Sequence, residues 1–304
     1  MQTPSISRQI GNLVLEPFYQ VAASGALPGH WFRPCMPSSD HGTSAATPLH
    51  IEIVSHCWQY APMLLYQLSS LVLHPPTRPR ITMTVFHAIE DNDTARVLEF
   101  IARHELPSVR WNWRRLPPEQ LFRRSIGRNQ AAHESTADWV WMTDCDIIFH
   151  NGCLDALADT LPLHHAPLLY PQQERRTDML ATTDSLLAKA NEWLNDSAPL
   201  QLLDIDPAAF NPHLLHCAKG EYQIVRGDVA RAIGYCDGLS PYQTPATHWC
   251  KCREDRVFRW LLGSQGEPIN VPSVYQIRHI QKGRYRSGSM GSRVRSRIRR
   301  WQEG

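Results

Sequence analysis

The chain has 304 residues, of which 42% are hydrophobic and 20% are charged, and its formal net charge is +2. This composition is that of an ordinary globular protein with a sizeable core, and the small net charge indicates no particular partner. No run of about 18 apolar residues is present, so we expect no membrane-spanning helix. The N-terminus lacks a basic region followed by an apolar one, so we expect no signal peptide. Eight scattered cysteines favour reduced thiols and a cytoplasmic location over a disulfide framework.

Residues 1–48 predict an irregular N-terminal lead-in, because their second half is rich in Pro, Gly, Ser and Thr. From residue 49 onward, short apolar strands alternate with amphipathic helices. The predicted strands are residues 49–55, 81–86, 109–113 and 139–143, and the predicted helices begin near Pro62, at Asn92 or Asp93, at Phe122 and at Cys153. This alternation predicts an α/β fold with a mostly parallel central sheet flanked by helices.

After Tyr170 the alternation weakens. We predict helices at residues 185–194, 228–233 and 254–262, and strands at residues 221–225 and 269–277. The helix at 254–262 carries two acids in its first turn, where the helix dipole favours them.

Two aspartates, Asp144 and Asp146, directly follow the fourth predicted strand. Side chains two residues apart in an extended segment point the same way, so we expect both carboxylates to face one spot. Buried carboxylates are costly unless a positive charge neutralises them, and a divalent cation with oxygen ligands is the simplest such charge. No P-loop or G-x-G-x-x-G follows any predicted strand. A nucleotide in this fold would therefore be held through carboxylates and a metal.

Further motifs stand in a fixed order around this pair. They are Ser55-His56-Cys57-Trp58, then Arg124-x-x-Gly127-Arg128-Asn129, then Asp144-Cys145-Asp146, then Gln223 to Arg226, then Glu254-Asp255 and finally His279. In this order the motifs resemble the inverting family 2 glycosyltransferases of GT-A fold, over about residues 49–285. The first loop and the end of the second strand differ from the usual pattern of that family, so uridine is only the default nucleotide.

The resemblance implies a metal site and a catalytic base. Asp146 and His279 would bind Mn²⁺ or Mg²⁺ on the donor diphosphate, and Asp144 would lie near the ribose and the metal. Asp255 would be the catalytic base that deprotonates the acceptor hydroxyl, with Glu254 beside it. The alternatives are purely structural roles. Glu254 and Asp255 would then be an acidic first helical turn, and His279 an ordinary histidine at a strand end.

The resemblance also implies a donor-binding half, residues 49–170, and a C-terminal acceptor-binding half, residues 171–285, of one domain. The implied donor-binding residues are His56, Asp91, Asp93, Arg124, Arg128, Asn129, Asp144, Lys282 and Arg284. For Arg124 and Arg128, a solvated helix face and a structural pair with Asp144 are the alternatives. Trp249 is a candidate for stacking on the acceptor, with simple packing as its alternative.

The C-terminal tail, residues 286–304, is basic, and its second half has apolar residues at helical spacing. This pattern suits an anionic membrane surface, which would place the protein peripherally at the inner face of a membrane beside a lipid-linked acceptor. A solvated tail is the alternative, and nucleic acid is a weaker one because no aromatic platform accompanies the arginines.

The sequence therefore predicts a metal-dependent inverting glycosyltransferase that moves a sugar from a nucleoside-diphosphate sugar, UDP-sugar by default, to a hydroxyl acceptor on a glycan or lipid. The alternatives are a nucleotidyltransferase and a catalytically inactive nucleotide-sugar-binding protein. A zinc site at His248-x-Cys250-x-Cys252 is disfavoured, because no second ligand pair of suitable spacing is present.

Overall fold

The computed structural model describes residues 6–38, 48–181, 183–192, 199–248 and 253–279. The strands in these residues are β1 (His50–Cys57), β2 (Arg80–His87), β3 (Val109–Arg115), β4 (Trp139–Met142), β5 (Ile147–Phe149), β6 (Leu168–Pro171), β7 (Gln173–Arg176), β8 (Asn211–Leu214), β9 (Gln223–Arg226), β10 (Glu267–Ile269) and β11 (Val274–Gln276). The α-helices are α1 (Ile6–Val21), α2 (Ala61–Leu73), α3 (Asn92–Ala102), α4 (Pro118–Leu121), α5 (Arg124–Glu134), α6 (Cys153–Thr160), α7 (Ser185–Glu192), α8 (Gly227–Ile233), α9 (Ser240–Gln243) and α10 (Glu254–Leu262).

A seven-stranded sheet in the order β10-β6-β9-β4-β1-β2-β3 forms the centre of the fold. β1 pairs in parallel with β2 and β4, and β2 pairs in parallel with β3. β9 lies between β4 and β6 and runs antiparallel to both. The predicted fold class, α/β with a mostly parallel central sheet and flanking helices, is therefore confirmed. A smaller four-stranded sheet has the order β5-β11-β7-β8.

The core forms where the apolar faces of helices cover this sheet. β1 is buried from Ile51 to Cys57, as expected for a strand with neighbours on both sides and covered faces. In α2, which has Pro62 in its first turn, nearly every residue up to Leu71 is buried. Trp139 and Trp141 of β4 are both buried in this core.

Three sequence predictions are corrected by the structure. The lead-in is not irregular throughout, because residues 6–21 form the 16-residue helix α1. The cap of α3 is Asp91 rather than Asn92 or Asp93, since the Asp91 carboxylate accepts a hydrogen bond from the Thr94 amide. The single strand predicted at 269–277 is two three-residue strands, β10 and β11, which belong to different sheets.

The carboxyl ends of β1, β2 and β4 meet at one edge of the central sheet. Val54 pairs with both Thr84 and Met142 in the parallel registers. Ligands in open α/β sheets bind at this edge, outside the strand ends. Residues that follow β1 and β4 are therefore positioned to build a site. None of the helices in the described residues is long and apolar enough to cross a membrane.

Candidate active site

The predicted aspartate pair lies at this carboxyl edge, directly after β4. The Thr143 amide still donates to the Val54 carbonyl at 2.9 Å, and the chain then turns at Cys145. The segment is not extended, so the strand geometry does not apply here, and a common direction of both carboxylates stays a prediction. The turn brings Asp144 and Asp146 into contact with different parts of the site.

Arg124, the first residue of α5, links two acidic side chains. Its Nη1 donates to both carboxylate oxygens of Asp144, at 2.5 and 2.7 Å. Its Nε and Nη2 lie 3.0 and 2.9 Å from Oε1 of Glu254. All three side chains are largely buried. Arg124 therefore joins α5, the turn after β4 and the start of α10 through charge-assisted hydrogen bonds.

The pKa shifts of Arg124 and Glu254 both favour the charged form of the side chain. Burial alone would lower the pKa of Arg124, but Asp144 and Glu254 outweigh it and raise that pKa well above its usual range. Burial alone would raise the pKa of Glu254, yet the charges of Arg124 and Arg128 hold it below its ordinary value. Glu254 is therefore an ionised, neutralised partner of Arg124, and this role does not suit a general base.

Arg128, one turn further along α5, is fully buried behind this ion pair. Its Nη2 donates to the Thr143 carbonyl at 3.2 Å and lies 3.4 Å from Oδ1 of Asp144. Its Nη1 donates to the Tyr235 hydroxyl at 2.9 Å, and the guanidinium lies over the Tyr235 ring. The prediction that Arg124 and Arg128 lie on a solvated helix face is thus wrong. Both side chains instead form an ion pair with Asp144, as the other alternative predicted. Donor contact stays a prediction for both.

Asp146 and His279 meet at the hydroxyl of Tyr60, the residue before α2. That hydroxyl lies 3.5 Å from Oδ2 of Asp146 and hydrogen-bonds to Nε2 of His279. The Tyr60 ring also stacks on the imidazole, with centroids 5.3 Å apart. The Ile277 amide donates to the Asp146 carbonyl at 3.1 Å, which ties β11 to the same turn. Two residues predicted as metal ligands, far apart in sequence, therefore lie in one place.

The donor chemistry of Asp146 and His279 fits a divalent cation of the predicted kind. Both side chains are buried, and a carboxylate with an imidazole suits Mn²⁺. Asp144 fits less well as a ligand, because both of its carboxylate oxygens already accept hydrogen bonds from Arg124. In the part of the chain that the structure describes, Asp144, Asp146 and His279 do not form a set of three ligand atoms all within 4.8 Å of one another.

Asp255 differs from its neighbour Glu254 in exposure and partners. Its side chain is 29% exposed, compared with 8% for Glu254. Nη1 of Arg259, one turn along α10, lies 3.3 Å from Oδ2 of Asp255. The Asp255 carbonyl accepts a hydrogen bond from the Gln223 side chain at 3.2 Å, which anchors the helix start to β9. Asp255 therefore presents a fixed, partly exposed carboxylate beside the neutralised Glu254.

His56 lies inside β1 and is buried beneath α5. Its ring stacks on Phe86 with centroids 4.9 Å apart. A Cβ atom at Gly127 would lie 2.2 Å from Nε2 of His56, so only glycine allows α5 to approach this closely. Contact between His56 and a nucleotide base stays a prediction.

Asp91 and Asp93, the predicted ribose contacts, have different surroundings. The Asp91 carboxylate accepts hydrogen bonds from the amide and hydroxyl of Thr94 and from the Gln59 amide. It therefore closes the loop after β1 onto the start of α3. Asp93 is half exposed and lies 3.8 Å from Arg96 in the same helix. Ribose contact stays a prediction for both.

Asn129 supports the turn that follows α8. Its Oδ1 accepts from the Tyr235 amide at 2.7 Å, and its Nδ2 donates to Asp237 at 3.1 Å. Gly234 in this turn has a φ of 67°, and a Cβ there would lie 2.3 Å from Oδ1 of Asn129. The contacts of Asn129 are therefore structural, and its donor role stays a prediction.

Several predicted residues lie outside the described residues. They are Trp249, Lys282, Arg284, the two cysteines of the disfavoured zinc motif and the basic tail 286–304. Their proposed roles stay predictions.

Sequence reasoning missed Tyr60 and Arg259. Tyr60 stands between the first strand and its helix, at the edge where α/β folds bind ligands, and this position was a usable signal. Arg259 follows Asp255 by four residues on one helix, which is the spacing of an intrahelical ion pair.

No protein-family model matches the chain, and no curated protein matches it either. The chain is similar to the solved structure of S. aureus TarS 1–349 in complex with UDP-GlcNAc, with a TM-score of 0.47 and 11% identity over 79% of this chain and 61% of that chain. It is also similar to the mannosyltransferase PcManGT from Pyrobaculum calidifontis in complex with GDP-Man and Mn²⁺, with a TM-score of 0.44 and 12% identity over 98% of this chain and 75% of that chain. The chain thus spans about three fifths of the TarS 1–349 structure.

Proposed function

We propose that this protein is an inverting glycosyltransferase that moves a sugar from a nucleoside-diphosphate sugar to a hydroxyl acceptor and uses a divalent cation. One observation carries the proposal. Arg124 forms ion pairs with two of the four acids of the site, Asp144 and Glu254, and neutralises their charges. Asp146 is placed with His279, and Asp255 is left partly exposed. A cation-binding acid and a base acid are the two that such a transfer requires.

Asp146 and His279 would hold Mn²⁺ or Mg²⁺, with the Tyr60 hydroxyl orienting the imidazole. The cation would supply Lewis-acid neutralisation of the charge that develops on the departing diphosphate. Asp144, held by Arg124 and Arg128, would accept hydrogen bonds from the donor ribose. The first donors to test are those of the similar structures, UDP-GlcNAc and GDP-Man.

Asp255 would act as the general base. Its carboxylate takes the proton of the acceptor hydroxyl, and the acceptor oxygen forms a bond to the anomeric carbon of the sugar. The bond from that carbon to the diphosphate oxygen breaks on the opposite face, and the nucleoside diphosphate leaves with the electron pair. A single displacement inverts the anomeric configuration and needs no enzyme nucleophile.

Asp146→Asn and Asp255→Asn separate these roles. We expect both variants to lose transfer, by at least about a hundredfold for the base. Only Asp146→Asn should also lose the Mn²⁺-dependent thermal stabilisation by the donor, because donor binding raises stability by mass action. Asp159→Asn, which removes an exposed carboxylate paired with Arg78, is the matched control. Full transfer activity in both site variants would contradict the proposal.

The acceptor is proposed to be a glycan or a lipid-linked sugar. The support is the basic tail, residues 286–304, whose composition suits an anionic membrane surface. Such contact would bring the protein close to a lipid-linked hydroxyl.

A further inference from the structure

A second group of potential metal ligands lies away from the candidate active site. It consists of His74, which follows α2, His150, which follows β5, and Asp204, in the segment before β8. One ligand atom from each residue lies within 4.8 Å of the other two. In the described residues this is the one set of three such side chains that meets this criterion.

The distances within the group are those of a tetrahedral metal site. Nε2 of His74 lies 3.3 Å from Oδ1 of Asp204, and Nε2 of His150 lies 3.7 Å from the same oxygen. Ligand atoms about 2.0–2.2 Å from a tetrahedral zinc ion are about 3.3–3.6 Å from one another. The two imidazole rings have centroids 4.0 Å apart and are tilted by 48°. The two distances to Asp204 are therefore close to those between ligands of one zinc ion.

The surroundings hold the ligands in place and leave a way in. The Ile205 amide donates to Oδ1 of Asp204 at 2.8 Å, and the His150 ring packs edge-on against Tyr275. A cavity of about 320 Å³ adjoins the group and is lined by His74 and by Asn151, the residue after His150. Asp204 is 48% exposed, so an ion can enter from solvent.

We propose that His74, His150 and Asp204 bind one zinc ion, with water from the adjoining cavity as the fourth ligand. Two histidines and a carboxylate form a common protein zinc site. The alternative is a simple His–His–Asp hydrogen-bonded group with no metal.

The position of this site gives it a structural role. α2 begins after Tyr60 and ends before His74, and β5 begins after Asp146 and ends before His150. A 13-residue helix spans about 20 Å, and the residues before α2 and β5, Tyr60 and Asp146, meet at the Tyr60 hydroxyl. The zinc would therefore hold together the other ends of these two elements. The zinc site would thereby stiffen the scaffold of the active site without taking part in chemistry.

Zinc titration of the full chain, with accessible thiols alkylated beforehand, tests the proposal. We expect calorimetry and metal analysis to show one zinc ion per chain that is lost when His74, His150 or Asp204 is replaced. His150→Ala and, separately, Asp204→Asn should each weaken zinc binding at least about tenfold. Asp204 is half exposed, so its variant is expected to fold even where a histidine variant does not.

Two controls separate this site from other zinc-binding groups. His164→Ala removes a histidine that lies 3.2 Å from Glu267 in a comparable surface pair, and it should leave zinc binding unchanged. In Asp146→Asn, the zinc binding that depends on Asp204 should persist, which distinguishes this site from the cation site proposed at Asp146 and His279. Any of three results would overturn the proposal. These are no stoichiometric zinc binding, equal zinc binding by Asp204→Asn and the unchanged chain, or loss of zinc binding in Asp146→Asn.

Discussion

Replacing Arg124 with methionine is expected to destabilise the protein by about 3 kcal/mol. The substitution keeps an apolar stem and removes the positive charge shared by Asp144 and Glu254, whose side chains are only 11% and 8% exposed. Removing one partner of a buried ion pair costs about 3–5 kcal/mol, because the other charge stays buried without it. Arg128 still lies 3.4 Å from Asp144 in the variant, which favours the lower end of this range.

The pH dependence of this loss gives a sharper test. In the unchanged chain the pKa of Glu254 is lowered on folding, despite burial, by Arg124 and Arg128. Its contribution to stability is therefore present above the unfolded pKa of about 4.3 and is lost as the pH falls through the folded value. Without Arg124, burial is expected to raise the folded pKa above the unfolded one, so the variant gains stability as the pH falls. The difference in unfolding free energy between the unchanged chain and Arg124→Met should therefore be smaller at about pH 4 than at about pH 7.

Urea unfolding followed by tryptophan fluorescence at several pH values measures both effects. The control is Arg103→Met, which removes an exposed partner of Glu99 and should cost at most about 0.5 kcal/mol. A loss for Arg124→Met no larger than that of the control would refute the reasoning. A large loss that does not change with pH would show that Glu254 is not the group whose charge Arg124 stabilises.

Three further predictions concern other parts of the chain. Tyr60→Phe removes the hydroxyl between Asp146 and His279 and should weaken Mn²⁺-dependent donor binding about tenfold or more, measured by metal titration at fixed donor; unchanged metal dependence would contradict it. Gly127→Ala should destabilise by about 1–3 kcal/mol in urea unfolding because of the clash with the ring of His56 in β1, whereas Gly11→Ala, with nothing near its Cβ, should not destabilise. Deleting residues 288–304 should abolish binding to anionic liposomes at low salt, and unchanged co-sedimentation would sink the membrane proposal.

The elements that sequence predicted best are those with strong local signals. The bounds of α10 were predicted as observed, because acids begin it and Gly263 in a left-handed conformation ends it. β10 and β11 were predicted as one strand, because three-residue strands are too short to show the alternation of apolar and polar residues. The turn at Cys145 was also not predicted, because the sequence after β4 is compatible with either a turn or a continued strand, and only tertiary contacts decide between them.

The candidate site was predicted as a set of residues but not as an arrangement. The aspartates and Asp255 were found from their order along the chain, and the order says nothing about which acid meets which arginine. The division of partners between Asp144 and Asp146 depends on where α5 and α2 pack against the sheet edge. Tyr60 shows the same limit, because its contact with His279 joins segments more than two hundred residues apart.

The charge balance of the site supports the proposed divalent cation. Among the described residues, the carboxylates of Asp144, Glu254 and Asp255 pair with the guanidinium groups of Arg124, Arg128 and Arg259, and the carboxylate of Asp146 lies beside the Tyr60 hydroxyl. The site therefore has one negative charge in excess, and a bound nucleoside diphosphate would add two or more in a largely buried place, which is costly. The proposed divalent cation beside Asp146 would reverse that excess to one positive charge before the donor binds. Because the arginines already pair with Asp144, Glu254 and Asp255, the diphosphate would depend mainly on that cation, and donor binding should be the step most sensitive to metal removal.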